Sequence, residues 1–171
     1  MDQGVDPARV RDIPNFAEAV SHVTPVTRAS LDTPAGAFVF LALSRLHKNK
    51  AIDTLLLAAS LVPNAYIWIA GEGPDASALK AQAQSLHIQD RVRFLGWRSD
   101  RDALLAACDA VVFPSRHEPF GTTFIQAWAA QKPLVTTASQ GPSHYVTDKV
   151  DALMVPIDVP EALATAMRTV Q

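Results

Sequence analysis

The chain of 171 residues holds a single cysteine, Cys108, which excludes an internal disulfide and any zinc site built on several thiols. Histidines are as sparse. They stand at 22, 47, 87, 117 and 144, and no pair has the four-residue helical spacing of a zinc motif. Neither sign of charge dominates. A net charge of −2 gives no general pull toward nucleic acid or anionic lipid. No apolar run approaches the ~20 residues that a membrane helix needs, so no transmembrane segment is expected. No secretory signal follows Met1. These absences fit a reducing, cytoplasmic setting. No glycine-rich turn follows the first apolar strand, which argues against a nicotinamide dehydrogenase. Internal repeats and low-complexity tracts are missing too.

What remains is an ordinary globular composition, 49% hydrophobic and 19% charged, at a length that suits one domain with a real core. Residues 1–36 are poorly periodic and read as linker and lead-in. Within them Phe16–Val23 could form one or two helical turns, and Thr33–Gly36 reads as a turn. From Ala37 the pattern sharpens. Phe38–Leu43 and Ala110–Phe113 are continuous apolar runs that read as buried strands, and Ala65–Ala70, Val92–Leu95, Leu134–Thr137 and Ala152–Val155 read as the other strands. Helical stretches fall between them: Ile52–Leu61, Asp75 to about His87, Ser99 or Asp100 to Cys108, Thr123–Gln131 and Gly141–Val146. Pro160 opens a last one as a first-turn proline should. Strand–helix alternation predicts an α/β fold, a Rossmann-like three-layer sandwich around a six-stranded parallel sheet. Cys108 abuts an apolar strand and reads as a buried structural thiol.

The chain is organised around Val111–Val135, VVFPSRHEPFGTTFIQAWAAQKPLV. A buried strand stops at Pro114 and Ser115. Arg116, His117 and Glu118 then place a cation, an imidazole and a carboxylate in one loop. Gly121 permits a tight turn, and Thr122 or Thr123 can cap the helix that follows. In a parallel sheet such a strand-end loop, just before a helix N-terminus, is where ligands and especially anions bind.

Three further loops share that sheet edge. In SRLHKNKA, the cations Arg45, Lys48 and Lys50 precede a helix and oppose its dipole. A bound diphosphate would remove the conflict; a solvated basic loop is the other reading. The turn GEGP, from Gly71, is short of a nucleotide motif, and tight turning explains it as well. In FLGWRSDRD, Asp100-Arg101-Asp102 has the DxD form that holds a metal in some transferases, but helix capping and dipole matching account for both carboxylates. Trp68, Trp97 and Trp128 read as core residues, although Trp97 follows a strand end where it can border a planar base. Ser139–Ser143 reads equally as an anion-binding turn and as a plain Gly-Pro turn.

RHEPFGTTFIQAWAAQKPLV resembles the donor-binding signature of the retaining glycosyltransferases of GT-B fold, the group that includes glycogen synthases, sucrose synthases and many bacterial polysaccharide and lipid glycosyltransferases. ALSRLHKNKAIDTLLLA, IWIAGEGPDASALK, RVRFLGW, ASQGPSHYV and DALMVP resemble the family's other segments, so the likeness runs from about residue 37 to 170. Gln3-Gly4-Val5-Asp6 resembles its interdomain linker. The resemblance implies that residues 1–36 are linker and lead-in. Residues 37–171 would be the donor-binding domain, stopping inside its last helix, in a protein roughly twice as long that is inactive without its other half.

The resemblance also implies residue roles. Arg45 and Lys50 would neutralise the leaving diphosphate, and Glu118 would grip the hydroxyls of the transferred sugar. Phe120, Gly121 and Thr122 would bring backbone amides to sugar and phosphate. Gly71, in the family's Gly turn, would belong to the donor site, and backbone groups of the strand end Phe94, Leu95, Gly96 and Trp97 would read the base. The implied substrate is a nucleotide diphosphate sugar, with no cofactor and no metal. The acceptor, a glycan or lipid, would be held by the N-terminal domain, which could also dock the parent protein on the inner face of a membrane. The sequence departs from the family in four places. Gln126 replaces the second acid, which holds the ribose, and Ser44, Ala51 and Gln131 replace glycines. A nucleotide-sugar epimerase on the same fold and a non-catalytic nucleotide-binding module are the alternatives.

Overall fold

The structure, a computed structural model, describes residues 6, 9–11, 15–18 and 23–171. The linker match over residues 3–5 lies outside them, as do residues 19–22 of the expected helical turn. Residues 15–18 are not helical.

Six strands form one parallel sheet: β1 (Phe38–Leu43), β2 (Ala65–Ala70), β3 (Val92–Gly96), β4 (Ala110–Phe113), β5 (Leu134–Thr137) and β6 (Leu153–Val155). Their spatial order is β3-β2-β1-β4-β5-β6. The chain winds outward from β1 to β3, then crosses back to β4 on the other side of β1. Phe40 pairs with Ala110 there, and Leu41 with Val111. Such a reversal opens a crevice at the C-terminal ends of the two middle strands, because their loops leave toward opposite faces.

The helices are α1 (Ile52–Ser60), α2 (Ala76–Ser85), α3 (Arg101–Ala107), α4 (Thr122–Ala129), α5 (Gln140–Tyr145) and α6 (Pro160–Val170). Strand side chains alternate between two apolar layers, as a sheet covered on both faces requires. Phe40 and Ala42 face Leu55, Leu56, Leu79, Leu163 and Met167 of α1, α2 and α6. Val39, Leu41 and Trp68 face Leu104, Leu105, Phe124 and Ala127 of α3 and α4. Cys108 lies in this second layer, 2% exposed, and burial pushes its thiol up to about 12.

Residues 26–36 lie against the same layer. Arg28 forks onto both carboxylate oxygens of Asp109 at 2.8 Å, the Trp68 indole donates to Thr33 Oγ1 at 2.9 Å, and Arg93 donates to the carbonyls of Leu31 and Asp32. Trp68 is thus a core residue as expected, whereas Trp97 is 70% exposed.

The caps differ from those read in the sequence. Gly121, at φ 94°, occupies the N-cap of α4, and the Thr123 hydroxyl donates to the Leu43 carbonyl at 3.1 Å. Asp75 and Asp100 hold N-cap positions without a side-chain cap bond. Asp100 instead pairs with Arg98, and Asp102 with Arg101, so an arginine accounts for each carboxylate of the DxD-like run.

Candidate functional site

The site is built where β1 and β4 end side by side. The loop after β1 is held by its neighbour on β2: the Leu46 amide donates to the Glu72 carbonyl at 2.8 Å, and the Asp75 amide to the Leu46 carbonyl at 3.2 Å. The two loops cross so closely that a Cβ on Gly71 would stand 1.9 Å from the Ser44 oxygen, and one on Gly73 2.1 Å from the Leu46 oxygen. Backbone contact, rather than phosphate binding, therefore explains both glycines of the GEGP turn.

The loop after β4 rests on the loop after β1. The amides of Arg116 and His117 both donate to the Asn49 carbonyl, at 2.8 and 3.3 Å. One residue further along each loop, the Lys50 ammonium forms an ion pair with the Glu118 carboxylate. Lys50 also lies 6.0 Å over the Phe113 ring. Both side chains are largely shielded, at 25% and 13% exposed, which strengthens the attraction relative to a surface pair. Arg45 is exposed and has no ion pair among the described residues.

Two clefts adjoin along this edge. One, of about 450 Å³, is lined by Lys50, Glu118, Phe120, Gly121 and Thr122. The other, of about 420 Å³, is lined by Gly71, Glu72, Trp97 and Arg98. Leu43, Ser44 and Arg45 line both, so the clefts form one groove with Arg45 at its middle. Gly96 and Phe94 line a third hollow that shares Gly71 and Glu72. The fold thus brings together Arg45, Lys50, Glu118, Phe120, Gly121 and Thr122, with Gly71 and Trp97 further along. Leu95 packs into the second apolar layer, and Gln126, half-buried on α4, lines neither cleft and makes no side-chain hydrogen bond among the described residues.

Gly121 is indispensable to this shape. Its φ is left-handed, and a Cβ would meet the Phe113 ring at 2.8 Å and the Glu118 side chain at 3.0 Å. Gly141 holds the far side: its amide donates to the Glu118 carbonyl at 2.7 Å, and a Cβ there would stand 2.0 Å from the Phe120 oxygen.

Arg116 turns away from the groove, which the sequence did not reveal. Its guanidinium forks onto Asp53 at 2.8 and 2.7 Å, reaches Asp158 and Thr54 Oγ1, and donates to the Lys48 carbonyl. Burial would raise the Asp53 carboxyl, but the Arg116 fork outweighs it and the net shift is downward. Hydrogen bonding to Asp53 and Asp158 in turn raises Arg116 above its already high value.

Residues 23–170 match the family described as Glycosyl transferases group 1. The chain belongs to that family. Among curated relatives, two lipopolysaccharide core biosynthesis glycosyltransferases of Rhizobium meliloti, LpsD and LpsE, are 40% and 38% identical over 156 and 161 residues, covering 91% and 94% of this chain. The matches take up 45% and 47% of those proteins, so this group 1 chain spans less than half the length of these relatives. Among solved structures, Anabaena Alr3699/HepE in complex with UDP and glucose superposes with a TM-score of 0.76 at 30% identity, over 79% of this chain and 39% of that one. The sucrose-phosphate synthase of Thermosynechococcus elongatus superposes at 0.79 and 28% identity, over 91% and 42%.

Two of the expected glycine replacements acquire a physical meaning in this group 1 fold. Ala51 and Gln131 have φ 50° and 55°, so the backbone keeps the left-handed conformation that glycine would hold without strain. Ser44, the third, keeps an unpartnered buried hydroxyl and lines both clefts.

Proposed function

We propose that this chain is the donor-binding part of a retaining glycosyltransferase, which moves a sugar from a nucleotide diphosphate sugar to an acceptor held by another domain. The observation that carries the proposal is the continuous groove in which an unpaired arginine, Arg45, stands beside the Lys50–Glu118 ion pair. Each part suits one part of such a donor. Trp97 and Gly71 border the cleft that would take the base. Arg45 and Lys50 lie where the diphosphate would cross from one cleft to the other. Glu118, Gly121 and Thr122 line the cleft that would take the sugar.

The chemistry follows from charge. As the bond from sugar to diphosphate breaks, negative charge grows on the leaving phosphate, and two cations at the groove stabilise it more than they stabilise the bound donor. The start of α4 adds its backbone amides and positive dipole end to the same cleft. When a diphosphate takes over Lys50, Glu118 becomes free to accept hydrogen bonds from sugar hydroxyls and orient the anomeric carbon. This chain's residues supply binding, orientation and charge stabilisation, so the substrate needs no cofactor or metal from them.

A UDP complex of a 30% identical structural neighbour supports a nucleotide in this groove, and the lipopolysaccharide relatives support a glycan or lipid acceptor. No described helix is long and apolar enough to cross a membrane. The epimerase alternative calls for further acids beside the sugar, and Glu118 is the single carboxylate lining that cleft among the described residues. Titrating the chain calorimetrically with UDP-glucose, GDP-mannose and ADP-glucose tests the proposal. Saturable binding of one of them is expected; no binding of any would contradict it.

A further inference from the structure

We propose that Arg116 is a positioning residue: it fixes the loop that carries Glu118, and it does so from behind the groove rather than by touching the donor. This inference rests on the donor-site reading given above. Arg116 is the charged residue closest in sequence to Glu118 on its N-terminal side, and chemistry alone would make it a phosphate ligand. Geometry rules this out in the present arrangement, because two carboxylates already occupy the guanidinium.

The contacts join three parts of the chain that sequence keeps apart. Asp53 and Thr54 belong to the first turn of α1, the Lys48 carbonyl to the loop after β1, and Asp158 to the turn before α6. Thr54 Oγ1 also donates to Asp158 at 2.9 Å, which closes the network. Arg116 is the hub, and only a planar fork of five donors can serve all of these acceptors at once.

Glu118 depends on this hub more than Lys50 does. The loop after β1 has its own backbone ties to the loop after β2, through Leu46, Glu72 and Asp75. Between the end of β4 and Gly121, the Glu118 loop is tied by the two amides donating to Asn49, by the Thr137 hydroxyl donating to the Ser115 carbonyl and by Gly141 donating to Glu118. Its charged contacts among the described residues are the Lys50 pair, which a bound diphosphate would take over, and the Arg116 hub, which it would leave in place. Short loops without a core of their own open locally at low cost, so the anchor decides how often Glu118 is in place. Loosening it should weaken grip on the sugar more than grip on the diphosphate.

The test uses the 171-residue chain with Arg116→Met, Arg116→Lys and a control, Arg91→Met. Arg91 bonds the carbonyls of Ala59, Val62 and Ala65 on the opposite side of the molecule, so its loss lowers stability without touching the groove. Hydrogen exchange, measured without ligand, should show the amides at 116 and 117 exchanging about tenfold faster in Arg116→Met than global destabilisation explains, with β2 amides as the reference. Calorimetry with UDP and UDP-glucose, or the pair carrying whichever base the wild type binds, should show the preference for the sugar nucleotide falling about tenfold. Arg116→Lys should recover part of both, and Arg91→Met should leave both unchanged. Wild-type protection of the loop in Arg116→Met, or an unchanged preference, would overturn the proposal. If the wild type binds no nucleotide, the donor-site reading fails by itself, and unchanged exchange at 116 and 117 still overturns the anchoring role.

Discussion

Lys50 and Glu118, 68 residues apart, form an ion pair across the junction of β1 and β4, the strands at which the sheet order reverses. The pair sets the resting charge of the groove. Glu118 holds the ammonium that a diphosphate would claim, and Lys50 holds the carboxylate that sugar hydroxyls would claim.

Replacing Glu118 by Gln separates the two effects. The variant keeps the size of the side chain and loses its charge, so Lys50 is left available to phosphate. UDP should bind as well as before or more tightly, while the extra affinity conferred by the sugar should fall about tenfold, the loss of one charged hydrogen bond. Calorimetric titration with UDP and UDP-glucose reads both numbers. Equal weakening of the two ligands would show that Glu118 does not face the sugar.

Gln131 and Ala51 both hold left-handed backbone, yet glycine should act differently at each. Gln131 follows the last turn of α4 and is exposed. Gln131→Gly removes a strain of roughly 1–2 kcal/mol, reduced by roughly 0.4–1 kcal/mol of added freedom in the unfolded chain, so a net gain is expected. Ala51 is fully buried, and Ala51→Gly also deletes a packed methyl. Its gain should be smaller than that of Gln131→Gly. Urea denaturation measures both.

Acid should loosen the Arg116 hub. Asp53 is lowered in the folded state from its ordinary 3.8, so its contribution is fully present above that value and is lost as pH falls through the lower folded value. The carboxylate is nearly half exposed, so we expect below ~1 kcal/mol. Asp53→Asn should flatten the dependence of stability on pH below about 4. The same slope in wild type and variant would contradict the assignment.

The thiol of Cys108 should resist alkylation by iodoacetamide at pH 8, since it is buried and its pKa is pushed up to about 12. Rapid labelling of the folded chain would show that the layer beneath α3 and α4 opens far more readily than its packing implies.

The sheet was legible in the sequence because β1 and β4 are short, wholly apolar runs, as burial on both faces demands, and the other strands are short stretches between helical segments; the predicted ends of β1, β2, β4 and β5 agree with the structure. Pairing of Lys50 with Glu118 was legible only as two polar loops on one edge, since topology alone brings them together. Caps were less legible: Asp100 pairs with Arg98 two residues before it, and Thr123 found its partner, the Leu43 carbonyl, far away in the chain. The Arg116 hub was hidden for the same reason. Asp53 and Asp158 carry no pattern linking them to Arg116 until α1 and the turn before α6 are folded beside it. His87, expected in the last turn of a helix, instead sits just beyond α2 at φ 56°.

The most direct measurement is calorimetric titration of the chain with UDP, GDP, ADP and NAD⁺, repeated on the Arg45→Ala/Lys50→Ala double variant. One nucleoside diphosphate should bind the wild type, and its affinity should fall by about a hundredfold in the variant, roughly tenfold for each lost cation. Equal affinity in both chains, or preference for NAD⁺, would contradict a diphosphate held by Arg45 and Lys50.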